Sequence, residues 1–197
     1  MLYIMTTLML MEENEVSIVD AILGEIALVL ENVEGDSIDK FAEGLSTAER
    51  IFVVGEGRSG LMGKSFAMRL MHLGAQIFVV GETITPAIAS NDLLVAISGS
   101  GKTESVLNIA KRAKRLGCNL FSVTSNMDAE LARVSTYAFS ISAATKFRKS
   151  DEAITVQPLG SLFDQCAHII LDAVCLRYAQ LKQQSNEVAL KRHTNLE

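Results

Sequence analysis

Little in this chain of 197 residues points to a metal, a disulfide framework or a polyanion. There are three cysteines, Cys118, Cys166 and Cys175, an odd number without C-x-x-C spacing. That fits reduced thiols in a cytoplasmic setting better than a cross-linked secreted scaffold. The three histidines, His72, His168 and His193, are too scattered to make a metal-ligand motif, so no metal is expected. Positive charge is also scarce. Against 23 Asp and Glu there are 18 Lys and Arg, a net charge of −5, which disfavours nucleic acid and anionic membranes as partners. The one basic cluster, Lys111, Arg112, Lys114 and Arg115, falls in a stretch of helical pattern and reads as a solvated face. The opening MLYIMTTLMLMEENE is apolar, but it lacks a basic leader and is too short to span a bilayer. Residues 1–13 therefore read as an extension ahead of a domain covering 14–197.

What is present is an alternation of two periodicities. Val16, Val19, Ile22, Leu23, Ile26, Val29 and Leu30 recur at helical spacing over 14–32, and a shorter helix is expected over 36–47. Five short runs rich in β-branched and aromatic residues read as strands: IFVV (51–54), QIFVV (76–80), DLLVAI (92–97), NLFSVT (119–124) and TYAFSI (136–141). Helices are expected between them from about Gly60 to Leu73, from about Thr103 to Leu116, and near 128–133. Residues 143–157 read as loop, and a long helix from about Leu159 to Gln180 precedes a polar tail. Nearly continuous apolar strands alternating with helices imply a parallel sheet covered on both faces. The expected fold class is α/β: five parallel strands flanked by helices in a flavodoxin-like three-layer α/β/α arrangement, with no second domain.

Two glycine-rich loops then carry the chemistry. GEGRSG (55–60) follows the first strand and matches G-x-G-x-x-G, with Glu82 some twenty residues on, which is the dinucleotide fingerprint on paper. SGSGKT (98–103) follows the third strand and imitates a nucleotide P-loop. That motif needs a glycine where this chain has Ala96, and Ile97 still belongs to the strand. Taken together the loops say more. In strand order 2-1-3-4-5 the carboxyl ends of the first and third strands are neighbours, and the crevice between them is where ligands bind. Ser98, Ser100 and Thr103 offer hydroxyls, Gly99 and Gly101 let backbone N–H groups turn inward, and a helix start adds its positive end. Ser59 is expected to approach from the other loop. Such a cradle suits one compact phosphate monoester better than a pyrophosphate, although serines also serve as ordinary caps and turn formers.

SGSGKT resembles the phosphate loop of the sugar isomerase (SIS) domain, whose pattern is Ser-x-Ser-Gly-x-Thr after a central strand. The blocks GRSG, FAMRLMHLG, VGETITPAI, DLLVAISGSGKTESV, QPLGSLFDQ and RHTNLE resemble, within it, the 6-phospho-3-hexuloisomerase family over about residues 14–197. That resemblance implies a single SIS domain that interconverts D-arabino-hex-3-ulose 6-phosphate and fructose 6-phosphate through an enediolate, in the ribulose monophosphate route. It also implies a homotetramer needing no metal, nucleotide or other cofactor. By position, Ser59, Ser98, Gly99, Ser100, Gly101, Lys102 and Thr103 would bind the sugar phosphate. An isomerase of another phosphosugar, and a non-catalytic sugar-phosphate sensor, remain as alternatives. The sensor would need a DNA-binding segment, and none is evident before Ile51.

Two departures from the family pattern matter. Its usual PMGSLFEQ block carries a glutamate suited to be the general base, and this chain has Asp164. A side chain one methylene shorter ends roughly 1.5 Å short, and a misplacement of about 1 Å can cost on the order of 10²-fold in rate. Glu56 stands in the first glycine loop where a small or apolar residue is usual. Asp164, His168 and Asp172 lie four apart on one helix face, so His168 can pair with either aspartate, with a plain i,i+4 pair the simpler reading. His193, in RHTNLE, is the second catalytic candidate, reaching its own or a neighbouring subunit's site to handle substrate hydroxyls. Its rival reading is a tail histidine with no role.

Overall fold

The run LLVAI is buried at every position, as a strand covered on both faces must be. In the computed structural model, which describes residues 17–148 and 152–196, it forms the middle strand of a five-stranded sheet. The expected N-terminal extension lies outside the described residues. Along the chain the elements are α1 (Ile18–Leu30), α2 (Ser37–Thr47), β1 (Ile51–Gly55), α3 (Gly57–His72), β2 (Ile77–Val79), β3 (Leu93–Ile97), α4 (Glu104–Arg115), β4 (Asn119–Thr124), α5 (Glu130–Val134), β5 (Tyr137–Ser140), α6 (Ser161–Leu181) and α7 (Asn186–Leu190). All strand pairs are parallel, and their order is β2-β1-β3-β4-β5.

Alternation along each strand divides the core in two. Ile51, Val53, Leu93, Val95 and Ile97 face one side, where they join Phe41 and Leu45 of α2, Phe66 and Leu70 of α3, and Leu162, Cys166 and Ile170 of α6. Phe52, Val54, Leu94 and Ala96 face the other side, packing on Val106, Ala110 and Ala113 of α4. Phe41 anchors the first layer, fully buried and edge-on to Phe121, Phe139 and Tyr137 at centroid distances of 5.2, 6.0 and 6.1 Å. Each such aromatic pair adds about 0.5–1.5 kcal/mol beyond area burial.

Two elements differ from expectation. α3 begins at Gly57 instead of near Gly60, because Glu56 is extended (φ −117°, ψ 150°) and Gly60 N–H already donates to the Glu56 carbonyl at 3.2 Å. Ser59 therefore sits in the first helical turn, where N–H groups lack intrahelical acceptors. The polar tail contains the short helix α7, opened by the Ser185 hydroxyl accepting the Val188 N–H at 3.3 Å. At five residues it is too short to show a helical period, so periodicity misses it.

Candidate active site

The carboxyl ends of β1 and β3 are adjacent, with Gly55 paired to Ile97, and both glycine loops leave from that point. The first loop is compressed. A Cβ on Gly60 would lie 2.6 Å from the Gly55 carbonyl oxygen, so only glycine lets α3 start this close to its strand. In the second loop Gly101 has φ +62°, and a Cβ there would lie 2.5 Å from the Ala129 Cβ. Position 101 is closed to any side chain.

Donors on the far side shape the second loop. The Gly99 carbonyl accepts the Ser125 N–H at 3.0 Å, the Ser125 hydroxyl at 2.8 Å and the Thr124 hydroxyl at 3.1 Å. All three come from the β4 side. A planar trans peptide then turns the Ser100 N–H the opposite way, toward β1 and the cleft. Gly101 N–H donates to the Ser98 carbonyl at 3.0 Å, closing the turn. Thr103 precedes α4 as its N-cap with no side-chain cap bond, and its hydroxyl instead meets the Ser98 hydroxyl at 2.9 Å. The first-turn N–H groups of α4 and its positive end are thus left without a Thr103 side-chain cap.

A cavity of about 370 Å³ opens between the loops. It takes in Ser59 from α3, Gly99, Ser100 and Thr103 from the second loop, and Asp164 from α6. Three other expected binding residues stand off its lining. Ser98 is buried at 3% exposure beneath the turn, Gly101 faces Ala129, and Lys102 borders a neighbouring hollow with Ser100, Asn126 and Glu152. Glu56 does line the cleft, so an acid stands in the same cleft as the hydroxyls of Ser100 and Thr103.

Asp164 lies in the first turn of α6, where its own N–H donates to the Gly160 carbonyl at 3.0 Å. The Ser59 hydroxyl donates to its Oδ1 at 2.7 Å, and Arg58 Nε stands 3.7 Å from its Oδ2. Burial pushes the carboxyl above the ordinary carboxylate range, opposed by the Ser59 hydrogen bond and the Arg58 charge. A buried acid with a raised pKa, bonded to Ser59 and flanked by Arg58 in a cleft, is the profile of a general acid–base group. The shortened side chain therefore has a fixed place, with its carboxylate set against Ser59.

Arg58 is the functional candidate that sequence reading missed. It donates to the Ser161 hydroxyl at 3.3 Å as well as flanking Asp164, and it lines the cleft. Its signal was inside GRSG, one residue before Ser59, and an earlier helix start would have turned it to the same cavity. Thr145, Lys146, Phe147, Leu159 and Ser161 also line the cleft from the segment read only as loop and its junction with α6. Phe163 supports the second loop, its ring 3.0 Å from where a Gly99 Cβ would sit.

The histidines fall elsewhere. His168 pairs with Asp172 at 3.7 Å in an exposed i,i+4 contact and leaves Asp164 to Ser59 and Arg58. His193 stacks on His72, ring centroids 5.1 Å apart, at the far end of α3. The thirteen residues from Ser59 to His72 put it roughly 20 Å from the cleft of its own chain. Glu82 forms an exposed ion pair with Lys64 at 2.6 Å and does not line the cleft. Among the described residues no three His, Cys, Asp or Glu side chains are grouped to hold a metal ion. No described helix is long and apolar enough to cross a membrane.

Strand order, the paired loops and the cleft between them define an α/β domain with its cleft at the switch point of a parallel sheet. The SIS domain family matches residues 44–169, and the chain belongs to that family. It is similar to the 3-hexulose-6-phosphate isomerase of Bacillus subtilis, 36% identical over 176 residues that cover 89% of this chain and 95% of that one. The 3-hexulose-6-phosphate isomerase of Methanocaldococcus jannaschii is 38% identical over 161 residues, 82% of this chain and 84% of that one. An uncharacterized protein of Archaeoglobus fulgidus is 40% identical over 84% of this chain and 91% of its own. Among solved structures, a hypothetical protein of Methanococcus jannaschii, whose crystal structure is described as inferring the function of 3-hexulose-6-phosphate isomerase, aligns with a TM-score of 0.79. That alignment has 32% identity and covers 91% of this chain and 98% of that one.

Proposed function

We propose that this chain interconverts D-arabino-hex-3-ulose 6-phosphate and fructose 6-phosphate. The observation that carries the reading is Asp164, a buried carboxyl with a raised pKa, in one cleft with a hydroxyl-rich anion loop at a helix start. The similarity to 3-hexulose-6-phosphate isomerases at 36% and 38% identity over most of the chain supports this phosphosugar over others.

Moving the carbonyl from C3 to C2 transfers one proton from C2 to C3, and the C2 hydroxyl proton to the C3 oxygen, through a cis-enediolate. Asp164 takes the carbon-bound proton and returns it. It is one carboxylate serving both carbons, and such a base contributes about 10²–10⁴-fold. Arg58 and Lys146 supply positive charge facing the enediolate oxygens. Ser100, Thr103 and the backbone N–H groups of the second loop hold the phosphate. The Ser59 hydroxyl proton is committed to Asp164, so Ser59 serves the phosphate through its backbone N–H and the base through its side chain.

The tetramer belongs to the same proposal. Ile18, Val19, Leu23 and Leu28 on α1, and Leu61, Met68 and Met71 on α3, are large exposed apolar residues. Copies of this chain would pack there, and His193 would serve a neighbour's cleft. Fructose 6-phosphate incubated with the protein in D2O over many turnovers tests the reaction. Deuterium accumulating at C3 supports it, whereas deuterium at C1, or none at all, rejects it.

A further inference from the structure

Outside the cleft, one carboxylate is committed to the backbone that builds the cleft wall. Glu25, half-buried on α1, reaches into the connection that precedes α6. Its Oε2 accepts from Thr155 Oγ1 at 2.5 Å and from Gln157 Nε2 at 3.0 Å, and its Oε1 accepts the Val156 N–H at 2.7 Å. Thr155 and Gln157 are themselves buried. The Gln157 backbone is held as well, its carbonyl accepting Arg148 Nη2 and its N–H donating to Thr155 Oγ1 at 3.0 Å.

Two residues further on, that support has a use. Leu159 has φ +53° and lines the cleft while largely exposed. A residue with a side chain keeps this left-handed conformation only where its surroundings hold it. Gly160, the N-cap of α6, follows, and then the turn that carries Asp164. The segment is therefore pinned at 155–157 by Glu25 and at 161 onward by the buried face of α6. The strained Leu159–Gly160 corner is suspended between them.

We infer that Glu25 is a positioning residue: from a helix that contributes nothing to the cleft lining, it fixes residues 155–157 and so sets the Leu159–Ser161 wall and the start of the helix bearing Asp164. The kinetic part of this inference rests on the isomerase reading above. Three donors converge on one carboxylate. Truncating it orphans the buried Gln157 amide and the Val156 N–H together. Glutamine can preserve the arrangement. Its oxygen takes the Val156 N–H, and its NH2 group donates to Thr155 Oγ1 and, once the Gln157 carboxamide turns over, to Gln157 Oε1, so that only the Thr155 hydroxyl proton loses its acceptor.

The test compares Glu25→Ala and Glu25→Gln in the full chain by amide hydrogen exchange over 154–161 and by kcat and KM. Glu25→Ala is expected to speed exchange in that segment alone and to lower kcat/KM roughly 10- to 100-fold, the scale of an ångström's misplacement. Glu25→Gln is expected to stay within about threefold of wild type. Wild-type protection in Glu25→Ala, faster exchange with unchanged kinetics, or equal damage in both variants would overturn the inference. Thr155→Val, which removes one donor and leaves α1 intact, gives the same readout if Glu25→Ala does not fold. A wild type without isomerase activity defeats the functional reading instead. Fructose 6-phosphate affinity, unchanged or weakened in Glu25→Ala, then decides the inference.

Discussion

The Ser59 hydroxyl donates to Asp164 Oδ1 at 2.7 Å across 105 residues of chain, joining the first turns of α3 and α6 beneath one cleft. Neither loop alone makes this contact. It depends on the strand order, which places the end of β1 beside that of β3, and on α6 folding back over the same face of the sheet.

Removing the serine hydroxyl has a signed consequence for pH. The Ser59 bond lowers the Asp164 pKa against the upward push of burial. Ser59→Ala therefore moves the acid limb of the kcat/KM profile to higher pH, because the base must be ionised to work. A pH–rate series on wild type and variant checks it, and a limb that stays in place or moves down contradicts it.

Stability runs the other way at Asp164. A carboxyl whose folded pKa lies above its unfolded value helps the fold at low pH and loses that help as pH rises through the folded pKa. Asp164→Asn is therefore expected to melt at higher temperature than wild type at pH 8, with the gap narrowing toward pH 4 as an order-of-magnitude range for carboxylates. Thermal scans at the two pH values measure it.

The anion loop separates contact from support. Thr103→Val removes a hydroxyl from the cleft and leaves the Ser98 hydroxyl without its neighbour at 2.9 Å. Hydrogen bonds to a charged group are worth about 1.5–3 kcal/mol. KM for fructose 6-phosphate should therefore rise on the order of 10- to 100-fold, with a smaller change in kcat. Gly101→Ala should instead destabilise the protein by about 1–3 kcal/mol, since a Cβ meets Ala129 and the backbone is left-handed. Denaturant titration reads the second effect.

At the far end of α3, His72 is buried and stacks on His193 with the rings 21° from parallel. Burial, then the neighbouring His193 and Arg69, hold its imidazole below the ordinary 6.5. The folded protein thus resists the proton that the unfolded chain accepts. The contribution is whole above about pH 6.5 and fades as pH falls below it. His72→Phe keeps a ring and should flatten the loss of melting temperature between about pH 7 and pH 5. An unchanged slope would contradict this.

Much of the scaffold was legible because its signals are local. Each expected strand falls within two residues of an observed one, since short apolar and β-branched runs followed by glycine or serine admit few other readings. The strand order followed from placing the two glycine loops at one switch point. What escaped depends on long-range contact. Arg58 enters the cleft because α3 starts three residues early, and Thr145, Lys146 and Phe147 line it from a segment with no periodicity. The stacking of His193 on His72, far from its own cleft, is a contact between chain segments 120 residues apart, as the neighbouring Arg192 bond to the His72 carbonyl is. No spacing rule reaches that far.

The most direct measurement is formaldehyde release from fructose 6-phosphate when this protein is combined with an aldolase that cleaves the 3-hexulose phosphate. Release is expected only with both proteins present, and Asp164→Asn should slow it by roughly 10²–10⁴-fold at nearly unchanged KM. No release with the wild-type chain, or a full rate with Asp164→Asn, would contradict an enediolate isomerase that works through this carboxylate.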